Sequence, residues 1–164
     1  MHSPTCDARP VRTSAGILLW RRADDGLDVL IGHMGGPFWA KKDAGAWSLP
    51  KGEYGPGEDP FAVALREFEE ELGTPVPAAD FVPLGELRTT SSKVLTVWAA
   101  EGDLDASSAV SNTFELEWPP RSGRVQQFPE VDRAAWFSVE EAREKLVKGQ
   151  VPFLDRLVEA LPAR

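Results

Sequence analysis

A layered fold of the α/β or α+β class is predicted by three observations on this 164-residue chain. Short apolar runs of strand length recur along it, separated by Gly- and Pro-containing turns. One sharply bounded amphipathic helix stands near the middle. Two further segments with helical spacing close the chain, giving mixed strands and helices in a single series.

The elements follow in order. AGILLW (15–20) and the alternating LDVLIGH (27–33) flank a polar, Gly-containing turn and read as a strand pair. The stretch from Gly35 to Ala46 is rich in Gly, Lys and aromatics, has no period and reads as a loop. WSLPKGE and the turn-rich YGPGEDP lead to a helix from Pro60 to Leu72. Asp59 suits its cap, Pro60 its first position and Gly73 its end, while Pro75 and Pro77 prevent continuation. Phe61, Leu65, Phe68 and Leu72 recur at helical spacing as its apolar stripe. FVPLGEL (81–87) and VLTVWAA (94–100) read as strands. Residues 102–127 are polar and broken, with FELEW (114–118) as a short strand inside them. AAWFSV (134–139) is a strand leading into the helical EEAREKL, and PFLDRLVEAL is again helical. Residues 1–11 read as a flexible tail and 12–164 as one domain.

The net charge of −8 argues against a protein that coats a nucleic-acid polymer, which needs a basic face. It leaves room for a phosphorylated small molecule, because an acidic site can hold a cation and the cation holds the phosphates. The single cysteine, Cys6, allows no internal disulfide and fits a reducing compartment. No apolar run is long enough to span a bilayer, and the first residues lack the apolar core of a signal peptide. The expectation is a cytoplasmic protein without a membrane partner.

The chemistry concentrates on the central helix. At about 100° per residue, Glu67, Glu70 and Glu71 share one face, with Glu69 roughly opposite Glu67. Like charges at this spacing cost about 0.2–0.5 kcal/mol per pair. A hard divalent cation, which takes carboxylate oxygens as ligands, reverses the sign of that interaction. A solvated acidic face is the plain alternative for an EFEEE string on its own.

The surrounding pattern changes that balance. Gly52, five residues, Glu58, seven residues, then Arg66-Glu67, Phe68, any residue, Glu70-Glu71, any residue and Gly73 resembles the Nudix box. Thr74 departs from it, standing where an aliphatic residue is usual, at a packing position. The resemblance implies a Nudix fold, an α/β/α sandwich with a mixed central sheet, from about Thr13 to the C-terminus. It implies hydrolysis of a phosphoanhydride bond in a nucleoside diphosphate-linked substrate, with magnesium or manganese. Glu67, Glu70 and Glu71 are implied as metal ligands, one of them assisting deprotonation of the attacking water. Glu58 and Arg66 are implied as the pair that orients the cluster, and Gly52 as the source of a backbone carbonyl at the metal. Nudix enzymes often add a late carboxylate near the metals, and Glu130 in FPEVD is the candidate, ahead of Glu115 and Glu117. Nudix proteins are often dimers, and a homodimer is carried as an expectation with no interface fixed.

The lead-in Trp47-Ser48-Leu49-Pro50-Lys51-Gly52 is similar to that of Nudix enzymes acting on diadenosine polyphosphates and of some MutT-like enzymes. A nucleoside triphosphate or diadenosine polyphosphate is therefore the favoured substrate, and a nucleotide sugar or other diphosphate-linked metabolite the alternative. Lys51 is a candidate phosphate contact, while Trp47 reads as core before base platform. Lys41 and Lys42 add positive charge beside Phe38 and Trp39, where an aromatic ring can stack a purine. Lys93, Arg121 and Arg124 are further candidates for phosphate. His2 and His33 form no metal pair. A Nudix-like module that senses a nucleotide without cutting it is disfavoured by the complete set of box carboxylates. A purely structural domain is disfavoured because a self-repelling acidic face gains nothing without a cation.

Overall fold

The computed structural model describes residues 11–24 and 26–161; the tail with His2 and Cys6 lies outside them, apart from Val11. The elements are β1 (Arg12–Ala23), β2 (Gly26–Met34), β3 (Trp47–Ser48), β4 (Lys51–Glu53), α1 (Pro60–Leu72), β5 (Phe81–Thr90), β6 (Lys93–Glu101), β7 (Thr113–Glu117), β8 (Val125–Pro129), β9 (Val131–Ser138), α2 (Val139–Lys145) and α3 (Pro152–Ala160).

β1 is the spine of a seven-stranded mixed sheet. Its centre, Ala15 to Trp20, is buried throughout, because the strand is covered on both faces. Alternate side chains serve two cores. Leu18 and Trp20 pack with Ala142 and Leu146 of the α2 segment and with Phe153, Leu154 and Leu157 of α3. Ala15, Ile17 and Leu19 pack with Ala64, Phe68 and Leu72 of α1. The result is helix, sheet and helix in three layers, as the resemblance implied. Each large side chain sealed in these cores contributes about 1.5–3 kcal/mol.

One edge of β1 runs parallel to β6, which pairs in turn with β5. The other edge is shared: β4 occupies Ser14 to Gly16 and β2 occupies Trp20 to Ala23, both antiparallel. β2 also carries β3 and β9. This splitting of one edge brings the Trp47–Glu53 segment across the sheet and delivers the chain to the start of α1.

α1 has the predicted bounds for local reasons. The Asp59 carboxylate accepts the Ala62 N–H at 3.2 Å. Gly73 takes φ 79° and donates its N–H to the Glu69 carbonyl. The buried stripe is wider than predicted: Phe68 and Leu72 are fully covered, Phe61 and Leu65 partly, and Val63 and Ala64 join them. At the other end, Ser138 and Glu141 form a reciprocal capping box at the start of α2.

The 35–46 segment is irregular, as predicted, but it is tied down. Met34 N–H donates to the Ala46 carbonyl and Gly35 N–H to the Glu130 carbonyl. Residues 102–127 resolve into a short 3-10 turn and the β7–β8 hairpin. The predicted FELEW strand is β7, with Glu115 and Glu117 exposed on it. Its partner β8 carries no strand signal, since Val-Gln-Gln-Phe-Pro is polar, largely exposed and ends in proline. The hairpin leans on the 35–46 segment through Trp118, whose ring meets Phe38 edge-on at 5.6 Å.

Candidate active site

α1 sets its glutamates at three depths. Glu71 is buried beside Leu72, Glu67 is half-buried, and Glu70 is more open. The Lys51 backbone lies close enough to the Glu71 carboxylate to favour its ionised form. Glu67 lies against the backbone of Gly52 so closely that a Cβ there would fall on its carboxylate. The missing side chain at Gly52 is what lets the β4 backbone approach the helix.

Arg66 stands among three carboxylates. Its Nη1 is 3.9 Å from Glu58, Nη2 is 3.7 Å from Glu67 and Nε is 3.8 Å from Glu70. Half-exposed pairs at these lengths add little stability. Their effect is positional, because one planar fork faces three acids at once. Glu58 is fixed further by the Gly55 N–H at 2.7 Å.

Glu130, at the junction of β8 and β9, reaches the same cluster. Its backbone N–H donates to Asn112, and its carbonyl accepts from Gly35. The charges are felt mutually. Burial first, then Glu70 and Glu130, push Glu67 up to about 7. Burial pushes Glu71 up to about 8, opposed by Lys51 and reinforced by Glu130 and Glu67. Glu130 is raised by burial and by Glu70. Four carboxylates therefore act on one another in a region where a cation would balance their charge. Among the described residues, no three His, Cys, Asp or Glu side chains already stand close enough to enclose a metal. The donor set consists of hard oxygens, which suits magnesium or manganese.

Beside the cluster lies a cleft of about 400 Å³. Lys51, Lys93 and Trp39, three of the predicted substrate residues, line it. Lys42 does not; its ammonium sits 5.3 Å over the Trp39 ring, outside the lining. Phe38 turns away to Trp118, and Arg121 and Arg124 are exposed in the β7–β8 turn. Trp47 is core, bonded through Nε1 to Asp43 at 2.9 Å.

The cleft also contains residues the sequence did not single out: Thr89, Thr90, Lys148 and Gln150, with Ser48 from the lead-in. A lysine in a turn and a glutamine before a helix carry no pattern that could have found them. His33 has no such pattern either. It is fully buried, with Nδ1 2.9 Å from Asp132 and Nε2 2.6 Å from the Lys42 carbonyl. It thereby ties the Trp39-bearing segment to β9. A larger hollow, about 620 Å³, lies elsewhere at Arg21, Asp103 and Trp136. Within it Arg21 pairs with Asp103 at 2.8 Å and Asp28 at 3.6 Å and covers the Trp136 ring, and Asp105 accepts from Ser107 Oγ at 2.6 Å. No helix among the described residues is long and apolar enough to cross a membrane.

Comparison with known proteins agrees with this geometry. The model of the NUDIX domain matches residues 10–157. An RNA pyrophosphohydrolase of Rhodopseudomonas palustris (strain HaA2) is 42% identical over 62 residues, 38% of this chain and 35% of that protein. The chain thus aligns with about a third of the length of that relative. A C. elegans Ap4A hydrolase in a binary complex superposes with a TM-score of 0.63 at 20% identity, covering 90% of this chain and 96% of that one. The NUDIX domain of Shewanella oneidensis NrtR, complexed with ADP ribose, superposes with a TM-score of 0.64 at 16% identity, covering 98% and 94%. At these identities the structural likeness is one of fold. With the family model spanning nine-tenths of its length and the box carboxylates gathered on one helix, the chain belongs to the Nudix hydrolase family.

Proposed function

We propose that this protein hydrolyses a phosphoanhydride bond in a nucleoside triphosphate or a diadenosine polyphosphate. Glu67, Glu70, Glu71 and Glu130, with the Gly52 carbonyl, would hold magnesium, or manganese in its place. The observation that carries the reading is the convergence of these four carboxylates beside a cleft lined by Lys51, Lys93 and Trp39.

Held by these groups, such a cation would supply neutralisation of the phosphates, polarisation of phosphorus and a more acidic water. The remaining work falls to the chain. Lys51 faces Glu71 and Glu130 and so brings a positive charge to the phosphates next to the cluster. Arg66 and Glu58 keep the helix carboxylates from splaying. One of those carboxylates takes the proton of the attacking water as the new P–O bond forms and the bridging oxygen leaves with the other product. Trp39 offers a face to the base. The net charge of −8 fits a small nucleotide better than a nucleic-acid polymer.

A product-resolved hydrolysis screen tests the reading. Purified protein is offered nucleoside triphosphates, diadenosine polyphosphates, nucleotide sugars and a 5′-triphosphorylated RNA, each with magnesium and with chelator. The expected result is metal-dependent cleavage of the first two classes, lost in Glu70→Gln. Preference for a nucleotide sugar or the RNA would replace the substrate. Equal inertness of wild type and variant on every class would remove the enzymatic reading.

A further inference from the structure

We propose that Lys148, together with Lys93, forms a second phosphate subsite that reads the length of the substrate's phosphate chain. The inference rests on the reading that the substrate is a phosphoanhydride cut beside the carboxylate cluster. It adds that the cleft selects phosphates beyond the two flanking the cut bond.

The charge distribution is the first observation. In a chain with 26 acidic and 18 basic residues, the cleft is lined by three lysines and no carboxylate. Lys51 feels the charges of Glu71 and Glu130 but forms no ion pair with either. Lys93 and Lys148, both exposed, likewise form no ion pair among the described residues. Glu53 lines the small hollow that adjoins Lys93, and it is paired with Arg12. Two uncompensated cations in one cleft repel each other, and a polyanion is the ligand that turns this into attraction.

Rigidity is the second observation. Lys148 begins the 3-10 turn between α2 and α3, and that turn is fastened to the segment leading to Lys51. The buried Gln150 accepts the Leu49 N–H and donates to Ser48 Oγ, both at 3.0 Å. Val147 N–H donates to the Trp47 carbonyl at 2.8 Å. Gly149 sits directly on the Thr89 backbone, at the end of the strand that turns back into Lys93. Lys51, Lys93 and Lys148 thus hang from one hydrogen-bonded frame. Stems rooted on one frame bring three cations to the same cleft, where a phosphate chain can meet them without loops being ordered on binding. The neutral sugar of a nucleotide sugar would leave Lys93 and Lys148 without partners.

The test compares kcat/KM of wild type, Lys148→Ala and Lys148→Arg on ADP-ribose, ATP and diadenosine tetraphosphate. Tripolyphosphate binding by calorimetry in chelator, at 0.15 M salt, gives a readout independent of turnover. Loss of one charge-assisted phosphate contact is expected to lower kcat/KM for the tetraphosphate by about tenfold more than for ADP-ribose, chiefly through KM. Tripolyphosphate affinity should fall with it, and Lys148→Arg should restore both. If the alanine variant lowers all three substrates equally, or none, while wild type remains active, the subsite is overturned and the hydrolase reading stands. If wild type cuts nothing yet binds tripolyphosphate through Lys148, the subsite stands and the hydrolase reading fails. Absence of tripolyphosphate binding to wild type overturns the subsite in either case.

Discussion

The two sides of the site are built in opposite ways. On one side, Glu67, Glu70 and Glu71 come from a single turn of α1 and are partly or wholly buried, and Glu67, Glu71 and Glu130 resist ionisation. On the other, Lys51, Lys93 and Lys148 come from three distant segments and line an open cleft. The acidic side is under electrostatic stress until a cation arrives. The basic side, open to solvent, carries unneutralised positive charge until an anion arrives. A site divided in this way gains from a ligand that is itself a metal-bound polyanion, because each half supplies what the other cannot.

The largest effect expected from breaking this contrast is on the acidic side. Glu70→Gln should lower kcat by at least about 100-fold, measured on the preferred substrate at saturating magnesium, since even outer partners of metal ligands cost 10–100-fold. Gly52→Ala comes next. Its Cβ would displace the Glu67 carboxylate, so it should cost about 1–3 kcal/mol in denaturant unfolding as well as most of the activity. Arg66→Lys keeps the charge and removes the fork that faces Glu58, Glu67 and Glu70; a loss of about tenfold in kcat/KM is expected.

The smallest effect is one of pH. Glu71 holds its proton up to about 8 in the folded chain, against an ordinary value of 4.5. Between those values the unfolded chain has released a proton that the folded chain retains, so folding stability falls as pH rises through this window. Melting curves in chelator should show that decline from pH 5 to 8. Glu71→Gln should reduce it, leaving the share that Glu67 and Glu130 contribute, and magnesium, which stabilises the ionised forms, should oppose it. A wild-type protein whose stability rises over this range would contradict the burial argued for Glu71.

The same contrast explains what the sequence could disclose. α1 was legible to the residue because its signals are local: Asp59, Pro60 and Gly73 bound it, and its apolar spacing needs no partner to be recognised. The acidic half of the site is written within one stretch, Gly52 to Gly73, and was readable for that reason. Glu130 needed a guess about tertiary approach, and the structure brings it to the cluster. The basic half was readable only in part. Lys51, Lys93 and Trp39 were candidates, but Lys148 and Gln150 enter the cleft because α2 and α3 pack on the far face of the sheet and carry their connecting turn to its rim. β8 escaped for a related reason: Gln126 and Gln127 are held in a ladder by β7, and nothing in their own chemistry favours a strand.

A magnesium titration followed by thermal unfolding, run on wild type and on Glu70→Gln, tests most directly whether the acidic cluster is a cation site. A ligand at about 100 times its Kd stabilises the folded state by about 2.7 kcal/mol. For a domain of this size that raises Tm by roughly 5–10 °C. Wild type should show a saturable rise of this order and the variant little or none. Indifference of wild type to magnesium, or an equal rise in the variant, would mean that the four glutamates are not held together for a metal.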